Sequence, residues 1–263
     1  MKTATEVSSG TGLRVLEMYP AVQGEGTRVG VPSTFLRLAG CTVGCEWCDT
    51  KYSWKASQGI DLTIDQIVGQ VLEMTPLRSV VLTGGEPLEH PLEIVGPLIR
   101  RLASTCHVTI ETSATLSPED LWLLVQYLPI SDQILWSLSP KLKSAKSTKP
   151  FPDLNDWLEA SQAMGHDLQL KFVISSDEDL FQVASLLPQL SWRLRSLPTS
   201  IILQTMTRTD KPDDELRTSI IDDLRSLQES VAHWTWTTFL PPTVTIRVLP
   251  QLHAIIYGKR RGI

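Results

Sequence analysis

Three of the four cysteines stand close together, in the run Cys41-Thr-Val-Gly-Cys45-Glu-Trp-Cys48, a C-x3-C-x2-C pattern. Thiols at this spacing point to metal binding or redox chemistry rather than to a disulfide framework, and the odd local count also speaks against pairing. A structural zinc site closes its tetrahedron with a fourth ligand, and a fully ligated iron–sulfur cluster uses four cysteines; this loop supplies three. Zinc completed by a distant histidine, or cysteines that only pack, are the competing readings. Gly44 sits between the first two thiols, where a tight loop needs backbone freedom. A second run, Val80-Val-Leu-Thr83-Gly84-Gly85-Glu86-Pro87, ends an apolar stretch on two glycines. Such a pair lets backbone approach a ligand closely, although Gly-Gly and Glu-Pro also punctuate ordinary turns.

Residues like these do chemistry only where strands and helices hold them. Short apolar or β-branched runs at Thr34–Leu38, Val80–Leu82, His107–Ile110, Gln133–Trp136, Leu168–Ile174, Ile201–Gln204 and Val244–Val248 read as buried strands. Helical spacing covers Ile64–Met74, Leu92–Leu102, Pro118–Leu128, Asp153–Met164, Asp179–Leu187 and Asp213–Ser230. Thr63-Ile-Asp-Gln66 has capping-box spacing, and Ser117-Pro-Glu-Asp120 sets out an N-cap, a first-turn proline and two acids. Alternation of this kind implies βαβ units with right-handed crossovers around a mostly parallel sheet. The expected fold is α/β, a partial or modified (β/α) TIM-like barrel, whose chemistry sits on the loops after the strands. Both motifs above fall at such strand ends. Lys143–Phe151, with three lysines and two prolines counted from Lys143 through Pro152, reads as a flexible loop suited to covering a ligand.

The chain has 263 residues, 24 Lys+Arg against 29 Asp+Glu, and 42 % hydrophobic residues. That composition is an ordinary globular one and excludes disorder for most of the chain. At this length folding buries roughly 70–75 % of the unfolded surface, so no disulfides are required. The net charge of −5 and the lack of any basic block beyond Lys259-Arg260-Arg261 argue against nucleic acid as a partner. No apolar run is long enough to span a bilayer, and Met1–Glu6 lacks the apolar stretch of a secretory signal, so a cytoplasmic protein with no membrane partner is expected.

The three-cysteine loop, with Trp47 before its last thiol, resembles the signature loop of radical S-adenosylmethionine (radical SAM) enzymes, and Gly84-Gly85-Glu86-Pro87 resembles the GGEP motif of that superfamily. Within it, Leu16-Glu-Met-Tyr-Pro-Ala-Val-Gln-Gly-Glu-Gly26, Phe35-Leu-Arg-Leu-Ala-Gly-Cys41 and Cys48-Asp-Thr-Lys-Tyr52 resemble the 7-carboxy-7-deazaguanine synthase (QueE) family. The likeness continues through Glu111-Thr112, Ser139–Ser144, Leu170–Val173, Gln251–His253 and Gly262, so it covers nearly the whole chain.

The resemblance implies that Cys41, Cys45 and Cys48 hold a [4Fe–4S] cluster with one iron left open for S-adenosylmethionine, whose reductive cleavage yields a 5′-deoxyadenosyl radical. It implies a small-molecule pterin substrate, 6-carboxy-5,6,7,8-tetrahydropterin, rearranged to 7-carboxy-7-deazaguanine with loss of ammonia. Carried over residue by residue, Val22, Gln23, Gly24, Glu25, Arg37 and Thr83 line the pterin site, with Gln251 and His253 as weaker candidates. Trp47, Gly85, Glu86, Thr112, Ser139, Lys141 and Gln204 hold S-adenosylmethionine, and Thr50 binds Mg2+. A single radical SAM domain over 1–263 is implied, with a core at about 30–210, an N-terminal substrate-binding segment and a C-terminal extension. A homodimer and a flavodoxin- or ferredoxin-type electron donor are implied as well. The rival readings are a radical SAM glycyl-radical activating enzyme, a radical enzyme acting on another heterocycle and a non-catalytic metal-binding scaffold. Cys106 and His107 read as packing residues.

Overall fold

The structure, a computed structural model, describes residues 12–74, 78–208, 210–232, 241–258 and 260. Met1–Glu6, Lys259, Arg261 and Gly262 lie outside the described residues. The chain opens with β1 (Leu13–Val22), β2 (Pro32–Leu38) and β3 (Ile60–Leu62). It then alternates through α1 (Ile64–Met74), β4 (Ser79–Gly84), α2 (Leu92–Ala103), β5 (His107–Thr112), α3 (Pro118–Val125), β6 (Ile134–Leu138), α4 (Leu154–Met164), β7 (Asp167–Ile174), α5 (Asp177–Leu194), β8 (Thr199–Thr205), α6 (Asp213–Ala232), β9 (Val244–Leu249) and α7 (Leu252–Tyr257).

The strands form one sheet in the order β3-β1-β2-β4-β5-β6-β7-β8-β9. From β2 to β9 every pairing is parallel, whereas β1 lies antiparallel to both β2 and β3 at one edge. The sheet does not close on itself, so the architecture is the expected partial barrel. All seven expected strands form, and the six expected helices form with them. The two strands that were not expected, β1 and β3, make the antiparallel edge. The predicted caps also form: Thr63 and Gln66 exchange backbone and side-chain hydrogen bonds, and the Ser117 hydroxyl accepts from the Asp120 N–H at 3.1 Å.

Successive side chains of a strand point to opposite faces, and here the two faces differ in chemistry. The outward residues Leu36 and Leu38, Val80 and Leu82, Val108 and Ile110, Ile134 and Trp136, Leu168 and Leu170, and Ile201 and Leu203 join helix residues in one apolar core. The inward face carries Arg37, Thr83, Glu111, Ser137, Gln169, Lys171 and Gln204, together with Phe35, Val81, Leu135 and Ile202. The lumen is therefore mixed, richer in polar side chains than the branched aliphatic layers that fill a closed TIM barrel. His166 belongs to the outer packing. Its Nδ1 accepts from Trp136 Nε1 at 3.1 Å and its Nε2 lies 2.8 Å from the Pro129 carbonyl, an arrangement of a neutral ring whose burial lowers its pKa.

Backbone proximity makes two glycines differ in consequence. A Cβ on Gly84 would meet the Leu38 carbonyl oxygen at 2.4 Å, whereas a Cβ on Gly69, inside α1, meets nothing within 4 Å. Gly84→Ala is expected to destabilise the protein by about 1–3 kcal/mol. Gly69→Ala is expected to stabilise it by about 0.5–1 kcal/mol, because alanine is the better helix former. Denaturant midpoints of the two variants, moving in opposite directions, check both.

Candidate active site

A cleft of about 410 Å³ opens where the strands end, walled by inward side chains and by the loops after β2, β4, β5, β6 and β8. Every residue expected to hold the metal, cofactor or substrate, Gly24 excepted, lines it. At one end stands the cysteine loop, which leaves β2 at Leu38. Two neighbours hold it. The Gly85 N–H donates to the Leu38 carbonyl at 3.0 Å and the Glu86 N–H to that of Gly40 at 2.9 Å. A Cβ on Gly85 would lie 2.1 Å from Gly40 O and 2.8 Å from the Cys41 Cβ, so this glycine serves the contact between the two loops.

On the other side, Lys143–Phe151 does not hang over the cleft as expected. The Glu46 N–H donates to Ala145 O at 2.8 Å, the Thr148 N–H to Val43 O at 2.9 Å and the Thr148 hydroxyl to Thr42 O at 2.7 Å. These bonds run the segment beside the cysteine loop as a buttress, and Ala145 packs against Val43 and Cys45. Gly44 takes a positive φ of 70°, which fits the backbone freedom expected of it.

Burial pushes the Cys41 thiol up to about 11, with Glu86 and Glu89 adding to the effect, and it raises that of Cys45 despite Lys141. Free, both thiols stay protonated at neutral pH; cationic iron binds thiolates and releases those protons. Among the described residues no three Cys, His, Asp or Glu side chains converge on one metal ion. Thiols that each bind a different iron of a cluster have no need to converge.

Among the side chains that line the cleft, two buried polar atoms lack a partner: Trp47 Nε1 and Gln204 Oε1. Both residues line the cleft, and a buried donor and acceptor left open there suit a polar ligand. Lys141 lines the same cleft. It donates to Ser139 Oγ at 3.0 Å, and its Nζ stands 6.0 Å from the Trp47 ring centroid. Glu86 and Thr112 also line the cleft, but their polar atoms are engaged. The Glu86 carboxylate accepts from the Thr112 hydroxyl at 2.6 Å, the Ser113 N–H at 2.7 Å, the Ser113 hydroxyl at 2.5 Å and the Leu88 N–H at 3.2 Å. Glu86 thus ties the loop after β4 to the loop after β5.

The far end is built by the segment after β1. Gln23 donates to Glu111 Oε1 at 3.1 Å and accepts from the Glu25 N–H at 3.2 Å. Gly24 passes so close to α7 that a Cβ there would lie 2.3 Å from His253 Nδ1, and its carbonyl accepts from the Leu252 N–H at 2.9 Å. Glu25 pairs with Lys171 and accepts from Gln251 Nε2 at 2.6 Å. Burial alone would raise the Glu25 carboxyl, but Lys171, His253 and the bonds from Lys171 and Gln251 outweigh it and hold the group at about 2. Burial likewise works against the Lys171 ammonium, and Glu25, Glu111 and Asp49 overcome it and raise its pKa. Gln251 also donates to Asp49 Oδ2 at 3.2 Å. Next to Asp49, the Thr50 hydroxyl lies 3.5 Å from Cys48 Sγ. Oxygen donors of this kind suit a hard cation.

Arg37 reaches the same space from β2. Its Nε donates to Glu17 at 2.7 Å and its two terminal nitrogens to Tyr19 Oη at 3.2 Å and Gly84 O at 3.4 Å, leaving two N–H groups for a ligand. Thr83 pairs with Arg37 across β2 and β4. Lys171, Glu111, Asp49 and Tyr19 were not among the residues expected at the site. The available signal for Lys171 was a charged residue placed inside an apolar run, Leu168-Gln-Leu-Lys-Phe-Val-Ile174.

The sequence profile of the radical SAM superfamily matches residues 36–137. A 7-carboxy-7-deazaguanine synthase of Pyrobaculum aerophilum is 30% identical over 256 residues, covering 95% of this chain and 97% of that protein. One of Bacillus subtilis is 28% identical over 261 residues, covering 96% and 99%. In fold, the chain is similar to QueE from Escherichia coli, with a TM-score of 0.60 and 24% identity over 89% of this chain and 93% of that one. It is also similar to SuiB of Streptococcus suis, solved with S-adenosylmethionine, with a TM-score of 0.50 and 16% identity over 82% and 47%. With its thiol loop, its open parallel sheet and a relative matched over almost its full length, the chain belongs to the 7-carboxy-7-deazaguanine synthase family of the radical SAM superfamily.

Proposed function

We propose that the chain converts 6-carboxy-5,6,7,8-tetrahydropterin to 7-carboxy-7-deazaguanine, a step toward queuosine and other 7-deazapurines. The observation that carries this reading is a single cleft lined both by a three-thiol loop and by the set Arg37, Gln23, Glu25. The product differs from the substrate by one molecule of ammonia, so the ring contraction consumes no net oxidant. When bound, the [4Fe–4S] cluster supplies the electron that cleaves S-adenosylmethionine and so generates the hydrogen-abstracting radical. Cys41, Cys45 and Cys48 would hold the cluster. Trp47, Gly85, Ser139, Lys141 and Gln204 would hold S-adenosylmethionine, and Glu86 and Thr112 would shape its wall.

In the same cleft, the Arg37 guanidinium would meet the substrate carboxylate through its planar fork, with Thr83 beside it. Gln23 and Glu25 would face the donor–acceptor edge of the aminopyrimidinone, flanked by Val22, Gly24, Gln251 and His253. The Glu25 carboxylate, kept ionised by Lys171, is a ready acceptor for ring N–H groups. Thr50 would hold Mg2+ next to the substrate carboxylate.

We propose one domain over 1–263, with its core at about 30–210, an N-terminal substrate-binding segment and a C-terminal extension; a single continuous sheet supports this. A cytoplasmic homodimer fed by a flavodoxin- or ferredoxin-type donor completes the proposal. Four free cysteines suit a reducing compartment, and no helix among the described residues is long and apolar enough to cross a membrane.

Anaerobic incubation of the reconstituted protein with S-adenosylmethionine, reductant, Mg2+ and the pterin is expected to yield 7-carboxy-7-deazaguanine and 5′-deoxyadenosine by mass spectrometry. Formation of 5′-deoxyadenosine alone would mean another substrate; turnover only with a partner polypeptide would favour the activating-enzyme reading. Cys45→Ala is expected to abolish both cluster absorbance and turnover. Lys171→Met is expected to leave the burial of Glu25 offset only by His253 and Gln251, which raises its carboxyl pKa. Pterin affinity, flat from about pH 5 to 8 in the unmodified protein because Glu25 stays ionised far below that range, then weakens as pH falls, and Lys171→Arg restores the flat profile. Titrations across the range check the sign.

A further inference from the structure

We propose that Tyr19 is a specificity-determining contact of this enzyme, donating its hydroxyl to the substrate carboxylate alongside Arg37. The inference rests on the pterin reading above. Sheet register places the residues. In the antiparallel pairing of β1 with β2, Glu17 stands opposite Arg37 and Tyr19 opposite Phe35, so all four share the face that turns toward the cleft. Tyr19, Phe35 and Arg37 line that cleft. The Tyr19 ring is fixed by stacking on Phe35, with centroids 5.4 Å apart and planes 8° from parallel.

The hydrogen bonds then decide what the phenol can do. Its oxygen accepts from an Arg37 terminal nitrogen at 3.2 Å, so its own O–H is turned to another partner, and it donates to no acceptor among the described residues. The Glu17 carboxylate, by contrast, is occupied by Arg37 Nε at 2.7 Å and by the Tyr52 hydroxyl at 2.8 Å. A carboxylate entering beside Arg37 can therefore place one oxygen on a remaining guanidinium N–H and the other on the Tyr19 O–H.

The electrostatics make the second contact worth having. Arg37 already shares its charge with Glu17, so the pair together is neutral and attracts a second carboxylate less than a lone guanidinium would. A neutral donor adds attraction without adding to the charge that must be buried. Tyr19 thus discriminates between a pterin with a carboxylate on its reacting ring and the same ring without one.

The test uses the reconstituted holoenzyme with S-adenosylmethionine, titrated anaerobically with 6-carboxytetrahydropterin and with 6-methyltetrahydropterin, which keeps the ring and lacks the carboxylate. Tyr19→Phe removes one oxygen and keeps the stack on Phe35; its cluster absorbance reports that the fold is intact. The expected result is a loss of affinity of about ten-fold for the carboxylated pterin and none for the methyl compound, the scale of one hydrogen bond to a charged group. An equal loss for both ligands, or none for either, overturns the role of Tyr19 while leaving the substrate reading in place. If the unmodified protein binds both ligands alike, the substrate reading itself fails and the proposal falls with it.

Discussion

The structure rests on one constraint: a two-residue alternation that sends aliphatic side chains outward under the helices and leaves an inward face on which most of the buried polar side chains of the strands gather. The outward set pays for folding, with Leu36, Leu82, Ile110, Leu170 and Leu203 all fully buried in a shared core. The inward set must then satisfy itself, because a polar group shut away from water costs free energy unless it is bonded. Ser137 receives Gln169, Glu111 receives Gln23, and Lys171, Gln251 and Glu25 close on one another. Of the buried polar atoms left without a partner, two belong to side chains that line the cleft, Gln204 Oε1 and Trp47 Nε1. A lumen this rich in polar groups and nearly complete in its bonding is a rigid mould with a few open valences.

The loops at the strand ends obey the same economy of partners. The cysteine loop has little regular structure of its own, so its backbone groups are taken up by neighbours: Leu38 and Gly40 by the glycine loop, Thr42 by Glu89, and Val43 and Glu46 by the segment near Thr148. Glu86 extends the arrangement to the loop after β5. Four consecutive strand ends are thereby joined without any element entering the cleft.

Much of this was legible in the sequence. The parallel strands announced themselves as apolar runs because their outward residues are aliphatic and their ends are marked by loop residues. β1 did not, since Leu13–Val22 mixes charges with apolar residues and carries Pro20. An edge location tolerates that proline: β3 pairs only with Leu13, Arg14 and Val15, leaving the rest of β1 with a neighbour on one side. α7, six residues long, is too short to show a period. At the site, the thiols and the glycine pair were readable because their meaning lies in local spacing. Lys171, Glu111 and Tyr19 were not, because their roles come from pairing across the sheet between residues far apart in sequence. Lys143–Phe151 misled for a related reason: its lysines and prolines read as mobility, while the bonds that tether it reach back some hundred residues.

The contact between Gly24 and Leu252, and that between Glu25 and Gln251, separated by 226 residues, also set a timetable for assembly. During synthesis the parallel strands β2, β4, β5, β6, β7 and β8 can pair one after another as they emerge. The far end of the cleft cannot form until α7 has left the ribosome and returned to the start of the chain. A nascent chain therefore has its thiol loop in position before it can enclose a substrate, and a chain without α7 and the Gln251 before it would lack the contacts that close the site around Gly24 and Glu25.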